Sequence, residues 1–301
     1  MKIRMHFRYF TAIMMIFVMV FMYTATACSA SKREIIPLES IEQIDDNNFV
    51  CSFDGIEHKL LLYLPENSKG APLVMMLHGY AESPSIMKRS TCFEEDAVPE
   101  GYAVCYVEGT SANSSYVKGW NSGIGINDNR DLEFLISLAD HLERQYGLDT
   151  DRTFAVGFSN GAFMTYRLAV EASDIFEAVV SVAGMCPEMI WDEREDKITV
   201  GLFQISGQKD DVIPKHSDGT ADSSLAPAIE DVIDYFASAN DLSLISEEDI
   251  GKDSIITRYG GSRTGREVWH IFINGGRHSW PSESLTGIDI NQLIIEFLDT
   301  Q

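Results

Sequence analysis

Uninterrupted apolar runs alternate with segments of helical periodicity through most of the chain. Five runs of strand length stand at 73–77, 102–107, 153–157, 178–182 and 199–205. Strands that are apolar throughout are buried on both faces, as in parallel sheets. Between these runs, apolar residues recur at helical spacing in 132–142 and 163–169. We therefore predict an α/β fold with a doubly wound, mostly parallel central sheet and helices on both faces.

Further patterns frame this core. The apolar segments 49–53 and 58–64 flank Asp54-Gly55, a dipeptide favoured in tight turns, and predict an N-terminal antiparallel hairpin. A late strand pair and a closing helix are predicted at 254–259, 268–273 and 292–298. The acid-rich segment 187–197 has no strand pattern and is a candidate lid above the sheet.

The first 28 residues have the pattern of a signal peptide. Three basic residues within positions 2–8 precede an apolar run from 9 to 23, which is shorter than the roughly 20 residues that span a bilayer. Ala25-Thr26-Ala27-Cys28 resembles a bacterial lipobox, although Leu usually stands where this chain has Ala25. Ordinary cleavage after Ala27 and an uncleaved anchor are the alternatives. We expect export, with acylated Cys28 anchoring the chain to the outer face of a bacterial membrane.

The remaining chain is predicted to be a polar tether at 29–48 and one catalytic domain at 49–301. Its composition supports a large folded domain, since 45% of the 301 residues are hydrophobic and 10% are aromatic. With 23 basic and 46 acidic residues, the net charge is -23, so nucleic acids and anionic lipid surfaces would be repelled. We expect a monomer that meets the membrane only through the lipid anchor and binds no nucleic acid.

Four cysteines remain outside the leader, at Cys51, Cys92, Cys105 and Cys186. An even number in an oxidising compartment permits disulfides, but four cysteines allow three connectivities, and the sequence does not choose among them. Buried thiols or one structural bridge are both compatible with this pattern. Because neither C-x-x-C spacing nor clustered histidines accompany them, we expect no metal site.

The segment Gly157-Phe158-Ser159-Asn160-Gly161 fits the G-x-S-x-G nucleophile elbow, with a predicted strand before it and a helix after it. Small residues on both sides allow a sharp strand-to-helix turn that exposes the serine hydroxyl. A helix N-terminus also favours developing negative charge. Ser159 is therefore the candidate nucleophile, with a simple helix cap as the alternative.

A nucleophilic serine needs a base and an acid, which in such folds follow it in the order Ser, Asp, His. His278 lies in a glycine-rich loop directly after the last predicted strand and is the preferred base over His216. Asp210 follows the strand end at 205–207 and is the candidate acid. Asp211 is adjacent and remains open on chemistry alone.

The strand at 73–77 ends in His78-Gly79-Tyr80, where this kind of fold supplies its second oxyanion donor. We assign the backbone N–H groups of Tyr80 and Asn160 to the oxyanion hole. The side chain of His78 is expected to bond to the backbone at the strand end.

These motifs together resemble the polyhydroxybutyrate depolymerase and feruloyl esterase family, within the α/β-hydrolase superfamily. The resemblance rests on the elbow, on 77–79, on 207–214 and on Gly275-Gly276-Arg277-His278-Ser279-Trp280-Pro281. It covers most of the chain from 60 to 298, although Glu108-Gly109 and Arg130-Asp131 depart from the family's Asp-Gly and paired aspartates. It implies an α/β-hydrolase fold and ester hydrolysis without a cofactor.

We therefore expect an exported serine esterase that acts through an acyl-enzyme. The resemblance implies feruloyl or acetyl esters of plant polysaccharide fragments, or hydroxybutyrate oligomers and polyester, as substrates. Trp120 and Trp280 are candidates for the substrate pocket, with core positions an equal alternative. A serine peptidase of prolyl-oligopeptidase type and a non-catalytic surface binding protein are the rival functions.

Overall fold

The structure, a computed structural model, describes residues 33–111, 116–213, 227–262 and 265–301. Contacts divide the chain into two units, 1–35 and 36–301, and the elements below belong to the second. The described strands are β1 (Ser40–Gln43), β2 (Asn48–Phe53), β3 (Ile56–Tyr63), β4 (Leu73–Leu77), β5 (Ala103–Val107), β6 (Thr110–Ser111), β7 (Lys118–Gly119), β8 (Thr153–Phe158), β9 (Ala178–Val182), β10 (Gly201–Gly207), β11 (Ser243–Ile250), β12 (Ser254–Gly260) and β13 (Val268–Ile273). The described helices are α1 (Pro84–Thr91), α2 (Phe93–Ala97), α3 (Asp131–Tyr146), α4 (Asn160–Glu171), α5 (Glu188–Asp192), α6 (Ile229–Ala239), α7 (Glu283–Thr286) and α8 (Ile290–Asp299).

Eleven of the described strands form one sheet, in the order β1-β2-β3-β5-β4-β8-β9-β10-β13-β12-β11. The six strands from β5 to β13 in that order are parallel to one another, and antiparallel strands flank them on both sides. The five apolar runs of the sequence lie in this parallel centre. The prediction of a mostly parallel sheet is confirmed, and its carboxyl edge collects the loops after β4, β8, β10 and β13.

Helices pack against both faces of this sheet. Phe203 and Ile205 of β10 belong to a buried cluster with α1, α2 and α8. Gln204 lies between them and faces the opposite way, because side chains alternate along a strand. It accepts a 2.6 Å hydrogen bond from the Tyr166 hydroxyl of α4. The two layers hold the parallel strands rigidly beneath the loops of the carboxyl edge.

The N-terminal hairpin forms as predicted. Asp54 and Gly55 have φ angles of 51° and 72°, the left-handed pair that a two-residue hairpin turn requires. The tether boundary, in contrast, needs correction, because β1 lies inside the segment 29–48 and pairs with β2. Backbone pairing orders this polar segment without an apolar pattern, so the folded body begins before residue 49.

The segment 187–197, predicted as a candidate lid, is packed against α6. The guanidinium of Arg194 lies 3.6 Å from the ring centre of Trp191, and Trp191 meets the Tyr235 ring edge-on at 5.5 Å. The Tyr235 hydroxyl also donates to the Glu195 carbonyl oxygen at 2.7 Å. These contacts, together with the buried Ile190, make the segment part of the folded body.

All four described cysteines are free thiols, so the alternative of a structural bridge does not hold. Cys51, Cys105 and Cys186 are buried, and burial raises the pKa of the Cys51 thiol to about 12.

None of the helices in the described ranges is long and apolar enough to cross a membrane. The predicted leader and Cys28 lie outside the described residues.

Candidate active site

Ser159 lies at the sharp turn where β8 ends and α4 begins. Its φ of 51° and ψ of -116° are rare for a residue other than glycine and are typical of strained functional positions. A Cβ at Gly157 would collide with the backbone of Gly161, and one at Gly161 would collide with the Leu77 carbonyl oxygen. The two glycines of the motif therefore meet a steric requirement of the turn.

The structure brings Ser159, His278 and Asp210 together, although they are far apart in sequence. The Nε2 atom of His278 lies 2.9 Å from the Ser159 hydroxyl oxygen, and its Nδ1 atom lies 2.9 Å from Asp210 Oδ2. The side chain of His278 is 18% exposed and that of Asp210 is 3% exposed. This is the hydrogen-bonded chain that serine activation requires. The imidazole of His278 is accessible to a substrate, whereas the carboxylate of Asp210 is shielded from solvent.

Asp210 is fixed by its own loop. Its second oxygen, Oδ1, accepts the backbone N–H groups of Val212 at 2.9 Å and Ile213 at 2.8 Å. Oδ2 is thereby left for His278. Within the described residues Asp210 contacts His278, whereas the adjacent Asp211 is exposed. The alternative base His216 lies outside the described residues.

His78 joins two loops beneath the carboxyl edge. Its Nε2 accepts the Gly109 N–H at 3.0 Å, so Nδ1 carries the proton and donates to the Gly79 carbonyl oxygen at 2.7 Å. Burial lowers the pKa of His78 to about 4, which keeps the ring neutral. The side chain is thus bonded to the backbone, as the sequence predicted.

The two residues assigned to the oxyanion hole lie on either side of Gly119. A Cβ at Gly119 would stand 3.0 Å from Asn160 Oδ1 and 3.1 Å from Tyr80 Cδ2. Asn160 is the first residue of α4, and Tyr80 follows β4 with half of its side chain exposed. Both residues are therefore near the Ser159 turn, where a donor to a tetrahedral intermediate must stand.

Trp120 is a core residue. It has no exposed surface, and its indole N–H donates to the His78 carbonyl oxygen at 2.8 Å. Its assignment to the substrate pocket is therefore corrected, because a fully enclosed indole offers no surface to a ligand. The apolar ring fills space below the loops and its polar atom finds a backbone partner, which is the usual solution for a buried tryptophan.

Trp280, in contrast, lines an open cavity of about 390 Å³ next to the triad. The cavity is lined by Glu82, Met87, Ser90, Thr91, Phe158, His278, Ser279 and Trp280. The Trp280 indole N–H donates to Asn291 Oδ1 at 3.2 Å, which fixes the plane of the ring. A second cavity of about 330 Å³ is also lined by Ser279 and by other residues of the loop that carries the histidine, and most of its lining is apolar.

The sequence reasoning missed the side chain of Asn160. It is buried, its Oδ1 accepts the Trp120 backbone N–H at 2.7 Å and its Nδ2 donates to the Ser122 hydroxyl at 2.9 Å. These partners stand about forty residues earlier in the chain. The asparagine directly after the nucleophile was the available signal, since a buried amide needs partners.

Comparison with solved structures identifies the fold. The acetyl xylan esterase from Aspergillus awamori superposes with a TM-score of 0.60 at 13% identity, covering 87% of this chain and all of that one. A thermostable esterase superposes with a TM-score of 0.55 at 17% identity, covering 84% of this chain and 62% of that one. The fold is that of an α/β-hydrolase. The predicted fold class is confirmed, and Ser159, Asp210 and His278 lie in the loops that follow β8, β10 and β13.

Sequence comparison connects the chain with named esterases. The putative esterase NocK of Nocardia uniformis is 28% identical in an alignment of length 243 that covers 72% of this chain and 67% of that protein. A bifunctional acetylxylan esterase/xylanase of Neocallimastix patriciarum is 26% identical over 53% of this chain, and feruloyl esterase B of Talaromyces stipitatus is 23% identical over 42%. The matches span 22% and 36% of those two relatives. These relatives agree with a serine carboxylic-ester hydrolase.

Residues 96–218 match the sequence pattern of the prolyl oligopeptidase family. This range contains Asp210 and the candidate nucleophile Ser159 and ends before His278. The esterase part of the expected resemblance is supported by the named relatives, while membership of the polyhydroxybutyrate depolymerase family stays a prediction.

Proposed function

We propose that the hydrolase cleaves carboxylic esters through an acyl-enzyme on Ser159. The observation that carries this proposal is the pair of 2.9 Å contacts that link Ser159 to His278 and His278 to Asp210. The strained, glycine-flanked turn that presents the serine supports it. The esterase names among the relatives favour ester over amide bonds as the target.

In this mechanism His278 Nε2 takes the proton from the Ser159 hydroxyl as the oxygen attacks the ester carbonyl. Asp210 holds the imidazole by its Nδ1–H and stabilises the imidazolium. The backbone N–H groups of Tyr80 and Asn160 stabilise the tetrahedral oxyanion. The imidazolium then gives its proton to the leaving alcohol oxygen. A water molecule repeats the sequence, releases the acid and restores the serine.

The 390 Å³ cavity beside His278 receives the leaving alcohol in this proposal, because the imidazolium must reach the alcohol oxygen to protonate it. Trp280 offers an oriented aromatic wall, and Glu82 and Ser90 offer polar atoms. Such a lining suits the ring and hydroxyl groups of a sugar. We favour soluble feruloylated or acetylated oligosaccharides as substrates, with hydroxybutyrate oligomers or polyester as the further class.

Export through the N-terminal leader is part of the proposal. The basic and apolar pattern before Cys28 supports it. Acylation of Cys28 would hold the enzyme on the outer face of the membrane. Labelling of the full chain with a palmitate analogue tests this point. Labelling that is lost in Cys28→Ser supports the anchor, and labelling that persists in this variant contradicts it.

A peptidase is the second candidate, because the prolyl oligopeptidase family description matches residues 96–218. Peptidases and esterases share the triad, and the acyl and leaving-group pockets decide between them. Turnover of a dipeptide anilide above that of every ester would favour the peptidase.

The deciding experiment is hydrolysis of a substrate panel by the full chain, with Ser159→Ala as the control. The panel contains p-nitrophenyl acetate, methyl ferulate, acetylated xylo-oligosaccharide, a hydroxybutyrate oligomer and a dipeptide anilide. We expect ester turnover that falls by about 10⁴ to 10⁶ in Ser159→Ala. Equal turnover by both proteins would contradict the proposal, and the best ester names the acyl and alcohol groups.

A further inference from the structure

Residues 119–122, called here the clamp segment, lie between the two residues assigned to the oxyanion hole. Gly119 packs closely against both of them, because a Cβ there would stand 3.0 Å from Asn160 Oδ1 and 3.1 Å from Tyr80 Cδ2. Both distances are shorter than ordinary van der Waals contact. One point of the backbone therefore contacts both sides of the proposed oxyanion hole.

The clamp segment uses both polar ends of the Asn160 side chain. Asn160 Oδ1 accepts the Trp120 backbone N–H at 2.7 Å, and Asn160 Nδ2 donates to Ser122 Oγ at 2.9 Å. Asn160, Trp120 and Ser122 are all buried. An amide held at both ends in a buried site has one orientation, so these bonds fix the first residue of α4, whose backbone N–H is the proposed donor.

The strand β7, which leads into the clamp segment, and the clamp segment itself also hold the loop of the other proposed donor, Tyr80. The backbone N–H of Ala81, the residue after Tyr80, donates to the Lys118 carbonyl oxygen at 2.8 Å. The Trp120 indole N–H donates to the carbonyl oxygen of His78, two residues before Tyr80, at 2.8 Å. The Tyr80 loop is thus attached on both sides of its proposed donor.

The clamp segment is itself anchored from outside the site. The Asn121 backbone N–H donates to Asp131 Oδ2 at 2.6 Å, and the Asn121 carbonyl oxygen accepts from Arg167 Nη1 at 2.6 Å. Asp131 begins α3 and Arg167 lies in α4. Two helices therefore fix the segment that contacts both donor residues.

We propose that the clamp segment and the Asn160 side chain position the two donors of the oxyanion hole. This inference rests on the proposed function. Asn160 then acts twice, with its backbone N–H as the donor and its side chain as the group that holds that donor in place. Because oxyanion donors act at 2.7–3.1 Å and a displacement of about 1 Å costs about 10²-fold in rate, the attachment has a kinetic consequence.

Two variants disturb the attachment in different ways. Ser122→Ala removes the acceptor of Asn160 Nδ2, and Gly119→Ala adds a methyl group against both Asn160 and Tyr80. The matched control is Ser137→Ala, which removes another buried serine hydroxyl, one whose partners are the carbonyl oxygens of Glu133 in α3 and of Ile36. Asn160→Ala and Asn160→Asp form a second pair, since aspartate keeps an acceptor for the Trp120 N–H.

Each full-chain variant is measured by kcat and KM on the best ester and by its rate of inactivation with a p-nitrophenyl alkylphosphonate. In the inactivation, Ser159 Oγ bonds to phosphorus, p-nitrophenolate leaves, and His278 takes the serine proton. The phosphoryl oxygen needs the same donors as the tetrahedral intermediate. The reagent therefore reports on the oxyanion hole without depending on the natural substrate, and thermal unfolding of each variant reports on folding.

We expect Ser122→Ala and Gly119→Ala to lower kcat and the inactivation rate together by about 10-fold to 10²-fold with little change in KM. Asn160→Asp should lose less than Asn160→Ala. Values within twofold of the Ser137→Ala control, or a rise in KM at unchanged kcat, would overturn the positioning role. A wild type that reacts with the phosphonate but cleaves no ester contradicts only the proposed function, and one that does neither contradicts both.

Discussion

Gly161 leaves no room for a methyl group, because a Cβ there would collide with the Leu77 carbonyl oxygen at the end of β4. We expect Gly161→Ala to lower the free energy of unfolding by about 1–3 kcal/mol, the usual cost of overpacking. The collision also displaces the turn that carries Ser159, so kcat should fall. Urea unfolding and ester turnover measure the two effects.

Gly70→Ala is the control for this variant. Gly70 has a φ of +74° and open space where its Cβ would stand. We expect a loss of about 1 kcal/mol from the unfavourable backbone conformation, at unchanged kcat. If the two alanine variants have the same kcat, the steric account of the elbow is wrong.

At the scale of elements, the helix α8 orders the wall of the leaving-group cavity through Asn291. Asn291 Oδ1 accepts the Trp280 indole N–H at 3.2 Å, while its Nδ2 donates to the Thr91 carbonyl oxygen and to Asp96 Oδ2 at 2.9 and 2.8 Å. We expect Asn291→Ala to lower the free energy of unfolding by about 1–2 kcal/mol, because these partners lose their bonds.

The kinetic part of the same prediction concerns KM. With Trp280 released, KM should rise for esters of bulky alcohols and stay constant for the methyl ester of the same acid. The exposed neighbour Gln292 on α8 provides the control, Gln292→Ala. An equal rise in KM for both esters would show that Trp280 does not contact the alcohol group of the substrate.

The sequence predicted the central strands and missed the edge strands β1 and β11, for a physical reason. The central strands are apolar on both faces, so their composition alone indicates that they lie in the buried centre of the sheet. The edge strands β1 and β11 carry mostly exposed residues and join the sheet chiefly through backbone pairing, which leaves no apolar pattern. The helix α6 did carry a signal, since its buried residues follow helical spacing from Ile229 to Ala237.

Over the whole molecule, the order of the strand ends made the triad predictable, while side-chain contacts across the sheet were not. The preference for Asp210 and His278 came from motifs that follow strands, and the carboxyl edge of the sheet brings such loops together. The burial of Trp120 and the bonds of Asn160 depend on partners about forty residues apart, and spacing alone does not reveal them. Local motifs specify the reacting groups, and the tertiary fold specifies what holds them.

The buried His58 and His78 and the half-buried His270 make the stability of the whole molecule depend on pH. Burial lowers the pKa of His58, His78 and His270 to about 4, against an ordinary value of 6.5. Between these values the histidines bind protons in the unfolded chain but not in the folded chain. Their contribution to the free energy of unfolding is therefore fully present above pH 6.5 and is lost as pH falls towards 4. Asp131, Glu143 and Glu177 oppose this effect, because burial raises the pKa of all three carboxyls, that of Asp131 to about 6, and their protonation at low pH favours the folded state.

We expect the three histidines to outweigh the three carboxyls, so that the free energy of unfolding falls as pH is lowered from 6.5 to 4.5. Each histidine contributes up to about 3 kcal/mol over its full range. Denaturant unfolding at half-unit steps of pH measures the slope. His270→Phe removes one titrating ring from β13, where Nε2 of His270 is buried with no hydrogen-bond partner in the described structure. A shallower slope in this variant is the expected result, and an identical slope would show that His270 does not contribute.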